Sequence, residues 1–135
     1  MASYLVLDTD VASLLQRGSL GGEYLATLVG HEPCITVVTV AEFYKGAYKR
    51  GWSAHRIADY EQWLRRFVVL PYDSGVAREW GLISAESERA GLSVAANDAW
   101  IAACCRRHDL ALVTQNRRHF EMIAGLRLEP YSTPL

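Results

Sequence analysis

Four short apolar runs, Tyr4 to Leu7, Cys34 to Val38, Phe67 to Leu70 and Ala111 to Thr114, are separated by much longer stretches in which apolar residues recur at helical spacing. Runs of that length read as strands buried on both faces. Leu126 to Leu128 is a fifth candidate. Strands that alternate with helices need crossover connections, and crossovers make the strands parallel and lay helices over both faces of the sheet. The expected fold class is therefore α/β, an α/β/α sandwich around a central parallel sheet of four to five strands.

The helical stretches carry their own punctuation. Ile57, Tyr60, Leu64 and Phe67 repeat on one face behind a candidate N-cap at Ser53. Val76, Trp80, Ile83 and Ala90 do the same after Asp73 or Ser74, with Gly91 placed to follow the last turn. Trp100, Ile101, Cys104 and Cys105 mark another apolar face, introduced by Asn97. Residues 40–50 also read as a helix, and so does the stretch from 11 to 30 with a break between Gly18 and Gly22.

A chain of 135 residues is the size of one ordinary domain, so residues 1–135 are expected to form a single unit. The three cysteines have no metal-ligand spacing, and the N-terminus lacks a charged start followed by a long apolar run, so a cytoplasmic protein without a membrane partner is expected. Fourteen Lys and Arg face fifteen Asp and Glu, a net charge of −1, which gives no global sign of nucleic acid. Twelve of those fourteen cations are nevertheless Arg, the residue suited to bidentate contact with phosphate or carboxylate.

In open α/β sheets, ligands bind beyond the carboxyl ends of the strands. Asp8 follows the first run, Thr39 and Glu42 follow the second, Asn116 follows the run at 111–114, and Asp98 opens the helix leading to it. Each has a local explanation. Asp8 fits a turn or cap, Thr39-Val40-Ala41-Glu42 fits a capping box, Asn97-Asp98 fits a helix start and Asn116 a turn. Taken together, three carboxylates meeting at one place raise one another's pKa unless a positive charge stands among them. Mg²⁺ or Mn²⁺ suits an all-oxygen set, whereas none of the four His residues has the i, i+4 spacing of a zinc site. Metal-assisted phosphodiester hydrolysis is the reaction class that fits.

The segments L-V-L-D-T-D, T-V-A-E-F-Y-K-G, A-N-D-A-W-I-A-A and L-V-T-Q-N-R-R-H-F, in this order and spacing, resemble the successive motifs of PIN-domain nucleases, and most closely the VapC toxins of toxin–antitoxin pairs. The resemblance implies a PIN-like fold, a Mg²⁺ or Mn²⁺ site, and cleavage of single-stranded or looped RNA. It puts Asp8, Glu42 and Asp98 in the family's acidic places as metal ligands, with Asp8 and Asp98 the direct ones. Thr9 and Thr114 match supporting hydroxyl positions, and Thr39 belongs with them. Asn116 stands in the fourth acidic place, and Asp10 stands where these proteins often carry Asn, as a helix cap or a group behind the ligands. On this reading Glu42 and Asn116 position the attacking water. A homodimer and a cognate antitoxin are the implied partners.

Arg106, Arg107, Arg117 and Arg118 flank the acids in sequence and are the expected RNA contacts. Tyr44, Tyr48, Trp52, Tyr60 and Trp63 crowd the middle of the chain, shared between core and interface. Two other readings compete. Asp8 and Asp10 after an apolar strand also suit a phosphatase of the haloacid dehalogenase type, and Asn116 suits a degenerate PIN domain that binds without cutting.

Overall fold

The computed structural model describes residues 3–130. Its order is β1 (Tyr4–Leu7), α1 (Thr9–Gln16), α2 (Gly22–Leu28), β2 (Glu32–Thr36), α3 (Val37–Lys49), α4 (Ala54–Leu64), β3 (Val68–Leu70), α5 (Ser74–Arg89), α6 (Ala96–His108), β4 (Leu112–Val113), α7 (Arg117–Phe120) and β5 (Leu128–Glu129). The strands form one sheet in the order β3-β2-β1-β4-β5, and every pairing is parallel. Val6 lies opposite Cys34 on one side and Leu112 on the other, which centres β1 in the sheet.

Alternation along the strands divides the core in two. Val6, Cys34 and Leu112 pack with Val76 and Ile83 of α5 and with the buried face of α6. Leu5, Leu7, Ile35 and Val113 pack on the opposite face with Val11 and Ala12 of α1 and Leu64 of α4. The sheet is thus covered on both sides, the α/β/α arrangement that uninterrupted apolar strands require. Leu7, Ile35, Ile83 and Ile101 are almost wholly enclosed, and each such side chain contributes about 2 kcal/mol of burial. The thiols of Cys104 and Cys105 are pushed up by burial, Cys104 to about 12, so these are packing groups rather than nucleophiles.

Caps set the helix boundaries. Asp8, Ser53 and Asp73 accept from the backbone N–H groups of Val11, Arg56 and Val76, and Gly91 follows α5 with a φ of +70°. Several boundaries differ from the sequence reading. The second strand stops at Thr36 and not at Val38, because Thr36 Oγ1 accepts from the Thr39 N–H at 3.3 Å and starts α3 there. Thr39 is therefore inside the helix and is not its cap. Likewise α6 begins at Ala96, with Ala95 as a cap lacking a side-chain bond, so Asn97 already lies in the first turn. The fifth strand is Leu128–Glu129, displaced from the expected 126–128 by its pairing with β4.

Candidate active site

The carboxyl edge of the sheet brings Asp8 from the end of β1, Glu42 from α3, Asp98 from the first turn of α6 and Asn116 from the end of β4 around one cavity of 180 Å³. Thr9, Asp10, Asn97, Ile101 and His119 complete its lining.

Asp8 is held at both oxygens. Its Oδ1 accepts from the Val11 N–H at 2.8 Å and its Oδ2 from Thr114 Oγ1 at 2.5 Å. The Thr114 hydroxyl in turn accepts from the Asn116 N–H at 2.9 Å, which ties β1 to the loop after β4. Burial pushes the Asp8 carboxyl from 3.8 up to about 6, in spite of these two hydrogen bonds, and the charges of Asp10 and Asp98 push the same way.

Glu42 is reached through a hydroxyl chain. Thr9 Oγ1 donates to Glu42 Oε1 at 3.1 Å and lies 2.9 Å from Thr39 Oγ1. A hydroxyl has one proton, so with Thr9 donating to the carboxylate, Thr39 is the donor to Thr9. Thr39 is fully buried, and its hydroxyl is satisfied by Thr9 of α1. Burial raises the pKa of Glu42 and of Asp98; Thr9 opposes the rise at Glu42, and His119 opposes it at Asp98. His119 Nδ1 stands 3.3 Å from Asp98 Oδ2.

Asp10 was expected as a cap or a supporting group. Asp8 takes the cap, and Asp10 lines the cavity, where its Oδ2 accepts from Asn116 Nδ2 at 2.7 Å. Its charge raises the pKa of Asp8, Glu42 and Asp98 alike. The sequence signal for Asp10 was its place two residues after Asp8, in the first turn of α1. His119 was visible only as part of a basic run; its place one helical turn after Asn116 is what aims it at Asp98.

The four arginines separate. Arg106 stands at the far end of α6, 2.9 Å from Glu79 with both side chains largely buried and out of hydrogen-bond alignment, and its Nη1 donates to the Ala124 carbonyl at 3.1 Å. Arg107 makes two bonds to the Asp73 carboxylate, at 3.2 and 3.1 Å. These two ion pairs tie α6 to α5 and its cap, away from the cavity. Arg117 Nη1 donates to the Pro130 carbonyl at 2.9 Å, and Arg118 is exposed beside it. The cavity lining contains no lysine, the residue a phosphatase using Asp8 as nucleophile would need beside it.

The model for the PIN domain matches residues 5–126. The chain is 40% identical over 96 residues to the "Ribonuclease VapC2" of Haemophilus influenzae, covering 71% of this chain and 73% of the relative. It is 39% identical over 99 residues to the "tRNA(fMet)-specific endonuclease VapC" of Shigella flexneri, covering 73% and 75%. The crystal structure of DNA-bound VapBC from Salmonella typhimurium superposes with a TM-score of 0.81 at 31% identity, covering 96% of this chain and 98% of that one. A sheet-edge cavity built from the four motifs, a domain model spanning nearly the whole chain and relatives at this identity agree, and the chain belongs to the PIN-domain family, in its VapC group.

Proposed function

We propose that this protein is a one-domain, cytoplasmic endoribonuclease that hydrolyses RNA phosphodiester bonds with Mg²⁺ or Mn²⁺, acts as the toxin of a toxin–antitoxin pair, and works as a homodimer restrained by its antitoxin. The observation that carries the reading is the convergence of Asp8, Asp10, Glu42 and Asp98 on one cavity, with Thr9, Thr114 and Asn116 holding them. The names of the VapC relatives, one of them specific for tRNA(fMet), support RNA as the substrate class. Among the described residues, no helix is long and apolar enough to cross a membrane.

The donor set fits a hard cation. Among the described residues no three His, Cys, Asp or Glu side chains close on one point as a cage. Mg²⁺ does not ask for a cage, since it keeps several waters and takes one or two carboxylates. Asp8 and Asp98 would hold it, with Glu42 and Asp10 near. Bound there, such an ion neutralises charge on a phosphoryl oxygen and lowers the pKa of a water. The protein's own contribution is placement. Asp8 is fixed by Val11 and Thr114, so its direction costs no ordering when substrate arrives. Glu42 accepts from Thr9 at Oε1, which leaves Oε2 to take a proton from the attacking water. Arg117 and Arg118 follow Asn116 directly in sequence, which supports them as the contacts to substrate phosphates, whereas Arg106 and Arg107 are committed to Glu79 and Asp73.

Cleavage of a tRNA(fMet) transcript with and without Mn²⁺ tests the reading, with Asp98→Asn as the paired variant. Metal-dependent cutting by the wild type and its loss in Asp98→Asn, with an unchanged circular dichroism spectrum, are expected. Full cleavage by the variant overturns the assignment.

A further inference from the structure

A cavity of 370 Å³, twice the size of the acidic one, opens where α1, α3 and α4 come together. Its chemistry is opposite. Arg17 from the end of α1, Arg50 from the end of α3 and Arg56 from α4 face a single carboxylate, Asp59, which lies beside the exposed His55 at 3.5 Å. Among the described residues no carboxylate is paired with Arg17, Arg50 or Arg56, although Arg106, Arg107 and Arg127 all have ion-pair partners. Three unneutralised guanidiniums around one hollow repel one another, and an anion relieves them.

The walls are also flat and aromatic. Arg56 lies over the Trp52 ring at 4.0 Å, Trp52 meets Tyr60 at 5.2 Å, and Tyr60 meets Trp63 at 5.5 Å. Arg17 and Arg50 line the same cavity as Trp52, Tyr60 and Trp63. Aromatic faces beside guanidinium planes are what unstacked bases and their phosphates bind. An acidic peptide would use the charge and leave the stacking face unused.

Two helices join this place to the acids. Thr9 and Glu42 line or border the acidic cavity, and Arg17 and Arg50 follow them by eight residues each on α1 and α3. At 1.5 Å per residue, both helices span about 12 Å between the two cavities, a distance that a short extended stretch of single-stranded RNA bridges.

We propose that the Arg17–Arg50–Arg56–Trp52–Tyr60 cavity is a second nucleotide subsite for the RNA strand being cut, taking one unstacked base on its rings and a neighbouring phosphate on its arginines. The proposal rests on the endoribonuclease reading above and deepens it. The probe is a labelled single-stranded RNA oligonucleotide, bound to protein carrying Asp98→Asn so that it is not consumed. Arg17→Gln with Arg50→Gln is expected to weaken binding and to reduce the slope of log affinity against log salt by about 1 to 2. Trp52→Ala is expected to weaken binding about tenfold, as for loss of a stacking platform, with less change in that slope. Arg78→Gln with Arg89→Gln, which removes the same charge from exposed sites on α5, is expected to leave both readings unchanged. In the cleaving enzyme the cavity variants are expected to raise KM more than they lower kcat.

If the cavity variants keep wild-type affinity and slope, or if the α5 control loses as much, the subsite does not exist. Loss of binding to an antitoxin peptide with RNA binding intact also overturns it, since the cavity would then serve a protein partner. Thermal melts of each variant separate misfolding from loss of contact. A wild type that neither binds nor cuts RNA fails the endoribonuclease reading itself, a result distinct from all of these.

Discussion

Asp10 and Asn116 form a contact in the acidic cavity that neither residue's neighbours foretell, because the partners are 106 positions apart. By the family resemblance the two residue types stand in exchanged places, with the acid on α1 and the amide after β4. The exchange keeps the number of carboxylates around the cavity and the hydrogen bond between its two sides. A consequence can be measured in Mn²⁺ affinity and RNA cleavage. Asp10→Asn is expected to weaken both by removing a charge. Asn116→Asp is expected to be worse for stability, since it replaces a 2.7 Å hydrogen bond by two facing carboxylates. The double variant Asp10→Asn, Asn116→Asp is expected to recover most of both properties. A double variant no better than Asn116→Asp alone would falsify the exchange. Asp8 and Asn116 are legible because each follows a strand, Asp98 because it lies in a first helical turn, and Glu42, in the second turn of α3, because it completes a T-x-x-E pattern behind the second run. Asp10 and His119 were not, because their roles arise from contacts across the fold.

At the scale of elements, the sequence shows periodicity well and boundaries less well. The run Cys34-Ile35-Thr36-Val37-Val38 is β-branched to its end and contains no breaker, so the strand, which spans Glu32–Thr36, reads two residues too far at its C-terminal end. What ends it is the side chain of Thr36, wholly buried and turned onto the Thr39 N–H. The T-x-x-E pattern three residues later fits a capping box, yet its Thr39 is engaged with Thr9 and its Glu42 with the same hydroxyl. Those residues belong to the site instead of the helix start. Thr36→Ala is therefore expected to destabilise the protein by about 1 to 2 kcal/mol, with Thr36→Ser recovering most of it, as urea denaturation midpoints would register. Thr39→Ala should instead lower cleavage through Glu42. If Thr36→Ala is neutral while Thr39→Ala costs the helix its stability, the cap is at Thr39. The basic end of α6 illustrates the same limit: Arg106 and Arg107 look free in sequence, and only the packing of α5 beside them supplies Glu79 and Asp73.

For the whole molecule, a net charge of −1 conceals two opposed local fields, carboxylates at the carboxyl edge of the sheet and, at the far ends of α1 and α3, guanidiniums that no carboxylate among the described residues pairs. The acidic field has a cost in stability that depends on pH. Asp8 titrates at about 6 in the folded protein against 3.8 as a free side chain, so between those values the folded state binds more protons than the unfolded state. Its contribution to stability is complete below about 3.8 and is lost as pH rises through about 6. At neutral pH the fold carries a buried charge that it would be more stable without. Asp8→Asn keeps an acceptor for the Val11 N–H and removes that charge. Urea titrations of both proteins at pH 4 and pH 7.5 should show the variant gaining on the wild type as pH rises, by up to about 3 kcal/mol. Mg²⁺ at roughly a hundred times its dissociation constant should then return about 2.7 kcal/mol to the wild type at pH 7.5 and much less to the variant. A gap that stays constant with pH means that Asp8 is not held above its ordinary range by burial, and the charge argument for a cation at this edge loses its strongest member.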